Sequence, residues 1–417
     1  MRVLVIADDL TGANDTAVQF AAAGLGTATL FDASNLERTK EVAAECDVLA
    51  VTSESRNLSP EEASSKVSEL AETILSISRP CIAYKKIDST LRGNVRCEIS
   101  ALRKAGLREA PAIAAPGYPG NKRIVCGGYL LVDGQPLSRT YAAKDVLAPV
   151  TTSKVADFLS DKPDEVGHLE FSAFESGKAQ VLARLTEILA HGYTNVVVDS
   201  LDQADLDILT EVLFELSRPF LWVGSAGLAL SLSRALSSAA DPRVGSLSEA
   251  HKTPERSAHL FVIGSMNPKS IAQVEEVERQ GAAQVFYLNE RERAGADAFS
   301  TTVSEHTVLS SQRMKSQGPA RGLAEKAKSA LSSATSKAVS RGGYSTLILS
   351  GGDTAFAVLR ALESTGLEIL EEVLPGIPYG RIIDGPNRGL GVVTKAGGFG
   401  DRDCLISIGR WLCQRGL

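Results

Sequence analysis

The chain has 417 residues, 44% of them hydrophobic and 23% charged, which is the balance of an ordinary globular protein long enough for two domains. Its formal net charge of -6 argues against a general nucleic-acid binder, which needs a basic surface to displace counterions from phosphate, so any anionic ligand must be held by local cations. No apolar run approaches the ~20 residues that span a bilayer, and a strand begins within three residues of the N-terminus, so we expect no membrane span, no signal peptide and a cytoplasmic protein.

The apolar run Val3 to Ala7 predicts a buried strand, and it breaks into Asp8-Asp9-Leu10-Thr11-Gly12-Ala13-Asn14-Asp15. Ligands of α/β sheets gather beyond the carboxyl ends of the strands, which puts Asp8, Asp9 and Thr11 at a site mouth. Taken alone, the same residues suit a turn and a helix cap. Further strands are expected at Thr27 to Phe31, Val48 to Thr52, Cys81 to Lys85, Ala112 to Ala115, Val196 to Asp199 and Leu221 to Val223. Amphipathic stretches alternate with them, the pattern of βαβ units. Ser59-Pro60-Glu61-Glu62 combines an N-cap serine, a proline at the first helical position and a glutamate three residues past the cap, and so starts a helix.

Between Leu236 and Ala258 the chain turns polar and loses apolar periodicity. We therefore expect a domain over 1–237, a linker over 238–257 and a second domain over 258–417. Beyond it we expect a strand at Leu260 to Ile263, a helix led by Pro268, a strand near Val285 to Leu288, and a polar region to about Gly318. A long Ala/Lys/Ser helix then leads to a strand at Thr346 to Leu349. The fold class is α/β: two domains, each a largely parallel sheet flanked by helices.

More polar clusters follow strands. Lys85-Lys86-Ile87-Asp88-Ser89-Thr90-Leu91-Arg92-Gly93-Asn94 packs cations, a carboxylate and hydroxyls into ten residues, as a small polyhydroxylated acid would require. Arg56, after Val48 to Thr52, can make a bidentate contact with a carboxylate, and Pro116 to Arg123 forms another polar loop. In the second half, Ser350-Gly351-Gly352-Asp353-Thr354 stands between a strand and a helical run, where amides free of Cβ obstruction form an anion nest. Lys395-Ala396-Gly397-Gly398-Phe399-Gly400-Asp401 is a second glycine-rich loop, and Gly264-Ser265 a third candidate. Neither a G-x-x-x-x-G-K-[ST] nor a G-x-G-x-x-G is present. The five histidines lie outside these clusters, so a general base is expected among the aspartates. The six cysteines show no C-x-x-C pair and no histidine at metal-ligand spacing, which reads as reduced and structural.

In their order along the chain, Ala7 to Ala13, Lys86 to Gly93, Gly351 to Thr354 and Lys395 to Gly400 resemble the four-carbon acid sugar kinases, whose members phosphorylate D-threonate, D-erythronate or 3-oxo-tetronate. The resemblance covers essentially the whole chain. It implies an N-terminal sugar-acid domain and a C-terminal nucleotide domain, with the active site in the cleft between them. Carried onto this sequence, substrate positions are Asp9, Arg56, Lys86, Ile87, Asp88 and Ser89, with Arg92 beside them, and nucleotide positions are Ser265, Gly351, Gly352, Asp353, Thr354 and Gly397 or Gly398. The Gly12 to Thr16 continuation is more similar to the D-threonate and D-erythronate branch. The reading is an ATP-dependent kinase making the 4-phosphate, with Asp9 or Asp88 as proton acceptor. Arg56 and Lys86 would hold the acid's carboxylate, and Mg²⁺ would sit on the phosphates near Asp353 or Asp401. No residue is assigned as a metal ligand, and a homodimer stays open. A 3-oxo-tetronate kinase, a sensor that binds acid and ATP without turnover, and an oxidoreductase or aldolase-like enzyme are the alternatives.

Overall fold

The computed structural model describes residues 1–107, 110–145, 148–237, 258–288, 305–314 and 320–417. Contacts divide the chain into two compact units, Met1–Thr27 with Asp32–Gly245, and Ala28–Phe31 with Ser246–Leu417. The expected linker over 238–257 lies outside the described residues.

In chain order the first unit's strands are β1 (Val3–Ala7), β3 (Val48–Thr52), β4 (Ile82–Lys86), β5 (Ala112–Ala115), a small antiparallel sheet of β6 (Arg123–Cys126), β7 (Tyr129–Val132) and β8 (Gln135–Pro136), then β9 (Gly167–Leu169), β10 (Asn195–Val198) and β11 (Leu221–Gly224). The parallel strands run in the order β3-β1-β4-β11-β5-β10-β9. Every residue of β1 and β3 is buried, as continuous apolar runs require when helices cover both faces of a sheet. Register sets Ala7 beside Thr52 on one side and Lys86 on the other, so the segments leaving β1, β3 and β4 emerge at one edge. The capping box expected at Ser59 is formed: Glu62 N donates to Ser59 Oγ and Ser59 N donates to the Glu62 carboxylate.

The second unit contains β2 (Thr27–Leu30), whose residues from Ala28 belong to it, together with β12 (His259–Ile263), β13 (Gln284–Tyr287), β14 (His306–Ser310), β15 (Thr346–Ser350), β16 (Gly366–Leu374), β17 (Ile377–Ile382) and β18 (Gly391–Lys395). Their order is β13-β14-β12-β15-β18-β17-β16, with β2 beside β16. Phe31 N donates to Thr365 O at 3.0 Å and the Phe31 ring packs edge-on to Phe356. One expectation is corrected here. The polar region before Gly318 contains β14, all of which is buried except its half-buried first residue, because its Thr and Ser side chains pass as polar in sequence while their backbone completes the sheet. The β16–β17 pair is an antiparallel hairpin within the largely parallel sheet expected. No helix among the described residues is long and apolar enough to cross a membrane.

One buried ion pair underlies the first unit's polar edge. Lys85 Nζ and Glu98 Oε2 stand 2.8 Å apart with both side chains sealed from solvent. Ser55 Oγ donates to Glu98 Oε1, and Asn94 Nδ2 donates to the carbonyls of Ser55 and Leu58, which holds the loop that carries Arg56. Removing one partner strands the other charge in the core. Glu98→Ala is expected to lower the unfolding free energy by about 3–5 kcal/mol in urea titrations, and Lys85→Met with Glu98→Leu to recover most of that loss.

Candidate active site

Arg56 is the centre of the first unit's site. Its guanidinium donates four hydrogen bonds of 2.8 Å, from Nε and Nη2 to Asp8 and from Nη1 and Nη2 to Asp9. Asp9 also caps the Leu10–Ala22 helix, accepting from Gly12 N and Thr11 Oγ1 at 2.8 Å each. Burial opposes ionisation of Asp8, but Arg56, helped by Lys85 and Lys86, holds its carboxyl below the usual range. Room for this arrangement comes from Gly12, where a Cβ would stand 3.0 Å from Lys86 Nζ and run into Asp9, and from Gly93, where it would stand 3.1 Å from Asp8 Oδ2.

The same cluster includes a carboxylate whose role the sequence left unassigned. Asp15, one turn further along that helix, lies 3.5 Å from Lys86 Nζ and accepts from Thr16 Oγ1 at 3.1 Å. Burial, aided by the Asp9 charge and only partly countered by Lys86, raises its pKa to about 6. Asp88 is the opposite case. Arg92 grips it through Nε at 2.6 Å and Nη2 at 3.3 Å, Thr90 Oγ1 donates to it, and Arg92 Nη1 reaches Asp145 at 3.0 Å. Although burial pushes its pKa up, Arg92 and Arg56 hold the carboxyl well below the usual range.

The structure thus brings together Asp9, Arg56 and Lys86 around Gly12, with Asp88 and Arg92 close enough to Arg56 to feel its charge. Ser89 is half-buried on the loop that follows. Ile87 serves the core instead: its side chain is buried and its N–H donates to Gly224 O at 2.9 Å. Arg123, from the Pro116 to Arg123 loop, is buried and turned toward Tyr141 Oη at 3.2 Å.

In the second unit the glycine-rich segments converge. A Cβ on Gly264 would run into Thr354 Oγ1, one on Gly397 into Ser265 Oγ, and one on Gly351 would lie 3.4 Å from Ser265 N. Gly351 has φ +106° and offers no side chain to cap the Gly352–Ala361 helix, whose first turn carries Asp353. A Cβ on Gly398 would stand 3.5 Å from Asn267 Nδ2. Gln273 Nε2 donates to the carbonyls of Phe399, Gly400 and Asp401, which pins the last glycine loop. Helix N-terminal amides and glycine turns of this kind suit a polyanion.

Lys395 at the end of β18 supplies the missing charge. Its side chain is fully buried, and Nζ donates to Ala396 O at 3.1 Å. Among the described residues no carboxylate pairs with it, and burial, with Lys269 nearby, lowers its pKa to about 8. The sequence signal was present, a lysine opening a glycine loop, but burial and the lack of an acidic partner are tertiary facts.

Comparison with known proteins follows the same division. Residues 3–232 match the family model for a sugar-binding N-terminal domain and residues 260–405 that for a nucleotide-binding C-terminal domain. A D-threonate kinase of Bordetella bronchiseptica is 33% identical over 99% of this chain and 97% of its own length. The chain belongs to the four-carbon acid sugar kinase family. A D-erythronate kinase of Heliobacterium modesticaldum is 31% identical, covering 97% of this chain and 96% of its own, and a 3-oxo-tetronate kinase of Brucella melitensis is 26% identical over 96% and 93%. A solved Salmonella typhimurium structure described as a putative tRNA synthase shares the fold, with TM-score 0.76 and 24% identity over 97% of this chain and 98% of that one.

A buried ammonium with no carboxylate partner among the described residues leaves a measurable trace. Across pH 8 to 10.5 the unfolded chain keeps the Lys395 proton and the folded chain lacks it, so stability rises with pH through that window. Lys395→Met is expected to abolish the rise and, below pH 8, to increase unfolding free energy by up to about 3 kcal/mol in denaturant titrations.

Proposed function

We propose that this chain transfers the γ-phosphoryl group of ATP to the terminal hydroxyl of a four-carbon sugar acid, D-threonate foremost, giving the 4-phosphate. The observation that carries the reading is Lys395, a buried cation with no carboxylate partner among the described residues, set among glycine loops that admit a polyanion. ATP would lie on the amides at Gly351, Gly352, Asp353 and Thr354 and on the Gly397-Gly398 loop, with Ser265 beside them. The residues fit a triphosphate because side chains are missing where phosphates must approach and a positive charge waits there. Mg²⁺ bound with ATP neutralises phosphate charge, and Asp353 and Asp401 are the carboxylates near enough along the chain to help hold it.

For the acid, Lys86 is the cation suited to the substrate carboxylate. Arg56 uses its donors to aim Asp8 and Asp9, whose oxygens then accept from substrate hydroxyls. Asp15 takes the proton of the attacking hydroxyl. A base works best with a pKa near operating pH, and Asp15 at about 6 meets that condition while Asp88, clamped by Arg92, does not. Catalysis is then chiefly alignment of acceptor oxygen and phosphorus together with charge neutralisation. D-threonate is favoured because relatives of that name reach 33% and 31% identity, whereas the 3-oxo-tetronate kinases compared reach 26–27%. The activity belongs in the cytoplasm, where ATP is supplied. We also propose a homodimer, since a Bordetella bronchiseptica neighbour, 29% identical with TM-score 0.50 over 99% of this chain and 98% of its own, was solved as a domain-swapped dimer.

ADP release measured with D-threonate, L-threonate, D-erythronate and 3-oxo-tetronate is expected to give the highest kcat/KM for D-threonate. Ligand binding with no ADP release for any of the four would establish the sensor instead. In the same assay Asp15→Asn is expected to lower kcat by about 10²–10⁴-fold with a smaller change in KM for the acid, while Asp88→Asn raises KM more than it lowers kcat. Because the folded pKa of Asp15 is raised, its ionisation costs stability as pH climbs from about 4 to 6. Asp15→Asn therefore stabilises the protein at pH 7 in thermal melts, and the gain disappears below pH 4. A large kcat loss in Asp88→Asn alone would return the proton to Asp88.

A further inference from the structure

At the opposite end of the strands that carry Ser265, a second group of side chains meets. The Cys413 thiol lies 3.8 Å from His306 Nε2 and 3.6 Å from Glu305 Oε1. Behind them His259 Nε2 stands 2.7 Å from the carbonyl oxygen of Leu417. That oxygen can only accept, so Nε2 of His259 carries the proton and Nδ1 holds a lone pair. His306 Nδ1 is 3.1 Å from His259 Nδ1 and therefore donates to it, which turns the lone pair of His306 Nε2 toward Cys413. The two rings stack with centroids 5.0 Å apart at 19°. Gly409, four residues before Cys413 on the Cys404–Arg415 helix, makes space for the ring, since a Cβ there would stand 3.1 Å from His306 Nε2. A buried histidine that fixes the tautomer of a more exposed one is the outer-shell arrangement typical of metal-binding imidazoles.

We propose that the Cys413 thiol and the His306 imidazole form a binding site for a zinc-class divalent cation, with the Glu305 carboxylate beside the thiol and His259 as the residue that orients His306. Tetrahedral zinc bonds of about 2.3 Å to sulfur and about 2.1 Å to nitrogen or oxygen separate a sulfur ligand from its neighbours by about 3.6 Å. The distances here are 3.8 and 3.6 Å. The donor atoms of the two proposed ligands, His306 and Cys413, and of the orienting His259 fall within 4.8 Å of one another. A thiolate with an imidazole and a carboxylate selects zinc or cobalt over magnesium, so the site is chemically distinct from any Mg²⁺ that accompanies ATP. Cys413 is exposed, which leaves an entry path. Binding releases the thiol proton and clips the last helix to the start of β14.

The test uses the full chain, stripped with chelator, kept reduced and titrated with CoCl₂. Wild type is expected to develop a near-ultraviolet thiolate-to-cobalt charge-transfer band that saturates at one equivalent and is displaced by ZnSO₄. Cys413→Ser abolishes the band, and His259→Gln weakens cobalt binding about 10–100-fold. ZnSO₄ raises the Tm of wild type and leaves that of Cys413→Ser unmoved. No charge-transfer band in wild type, or a band that survives in Cys413→Ser, overturns the site; unchanged affinity in His259→Gln overturns the role of His259. Cys413 is an exposed position, so the serine variant folds and decides the matter even where His259→Gln does not. The readout is the metal itself, so failure here leaves the kinase reading standing, and failure of the kinase leaves this site standing.

Discussion

Two neighbouring carboxylates at the end of one buried strand cannot both stay ionised without a cation spanning them, and Arg56 is that cation. The planar fork of a guanidinium meets two carboxylates side by side in a way no ammonium can. Four hydrogen bonds of 2.8 Å tie together the loop after β1, the loop after β3 and the start of the Leu10–Ala22 helix. Gly12 and Gly93 follow from it, because any side chain there would occupy the space the charges need. The sealed Lys85–Glu98 pair beneath repeats the logic one layer down, tying the Arg56 loop to the sheet.

The two units solve opposite electrostatic problems. In the first, arginines neutralise aspartates inside the protein, so Asp8 and Asp88 are spent as fixed acceptors and Asp15 remains the basic one. Carboxylates fixed in this way can accept hydrogen bonds in set directions, and Lys86 adds a further cation beside them. In the second, Lys395 is buried with no acid beside it among the described residues, a state that costs stability and that a triphosphate would relieve. A neutralised pocket and a deficit of negative charge are what an acceptor and a donor of a phosphoryl group respectively require.

Much of this could be read from the chain. The strand ends carrying Asp9, Arg56 and Lys86 were recognisable because a parallel sheet collects polar loops at one edge, and Ser265, Gly351, Thr354 and Gly397 because amide nests need glycine. Asp15 stood in the same motif yet gave no sign of its ionisation: its pKa is raised by burial and by the Asp9 charge, against the opposing pull of Lys86 from a neighbouring strand. Likewise Arg56 was expected to meet the substrate's carboxylate, and the fold turned its donors onto Asp8 and Asp9 instead. β14 was hidden by its Thr and Ser residues, and Cys413 with His306 by the long stretch of chain between them, since ligand spacing is legible only when the ligands share one local element.

By itself the sequence determined the α/β class, the two-part organisation and the residue types at the mouth of each half, because apolar periodicity and glycine placement act over a few residues and need no knowledge of what lies opposite. The tertiary structure alone decided which charges are spent on one another and which are left over. Ionisation and metal-ligand geometry depend on burial and on distances of a few ångström between segments far apart in the chain, and those exist only once the sheets have formed.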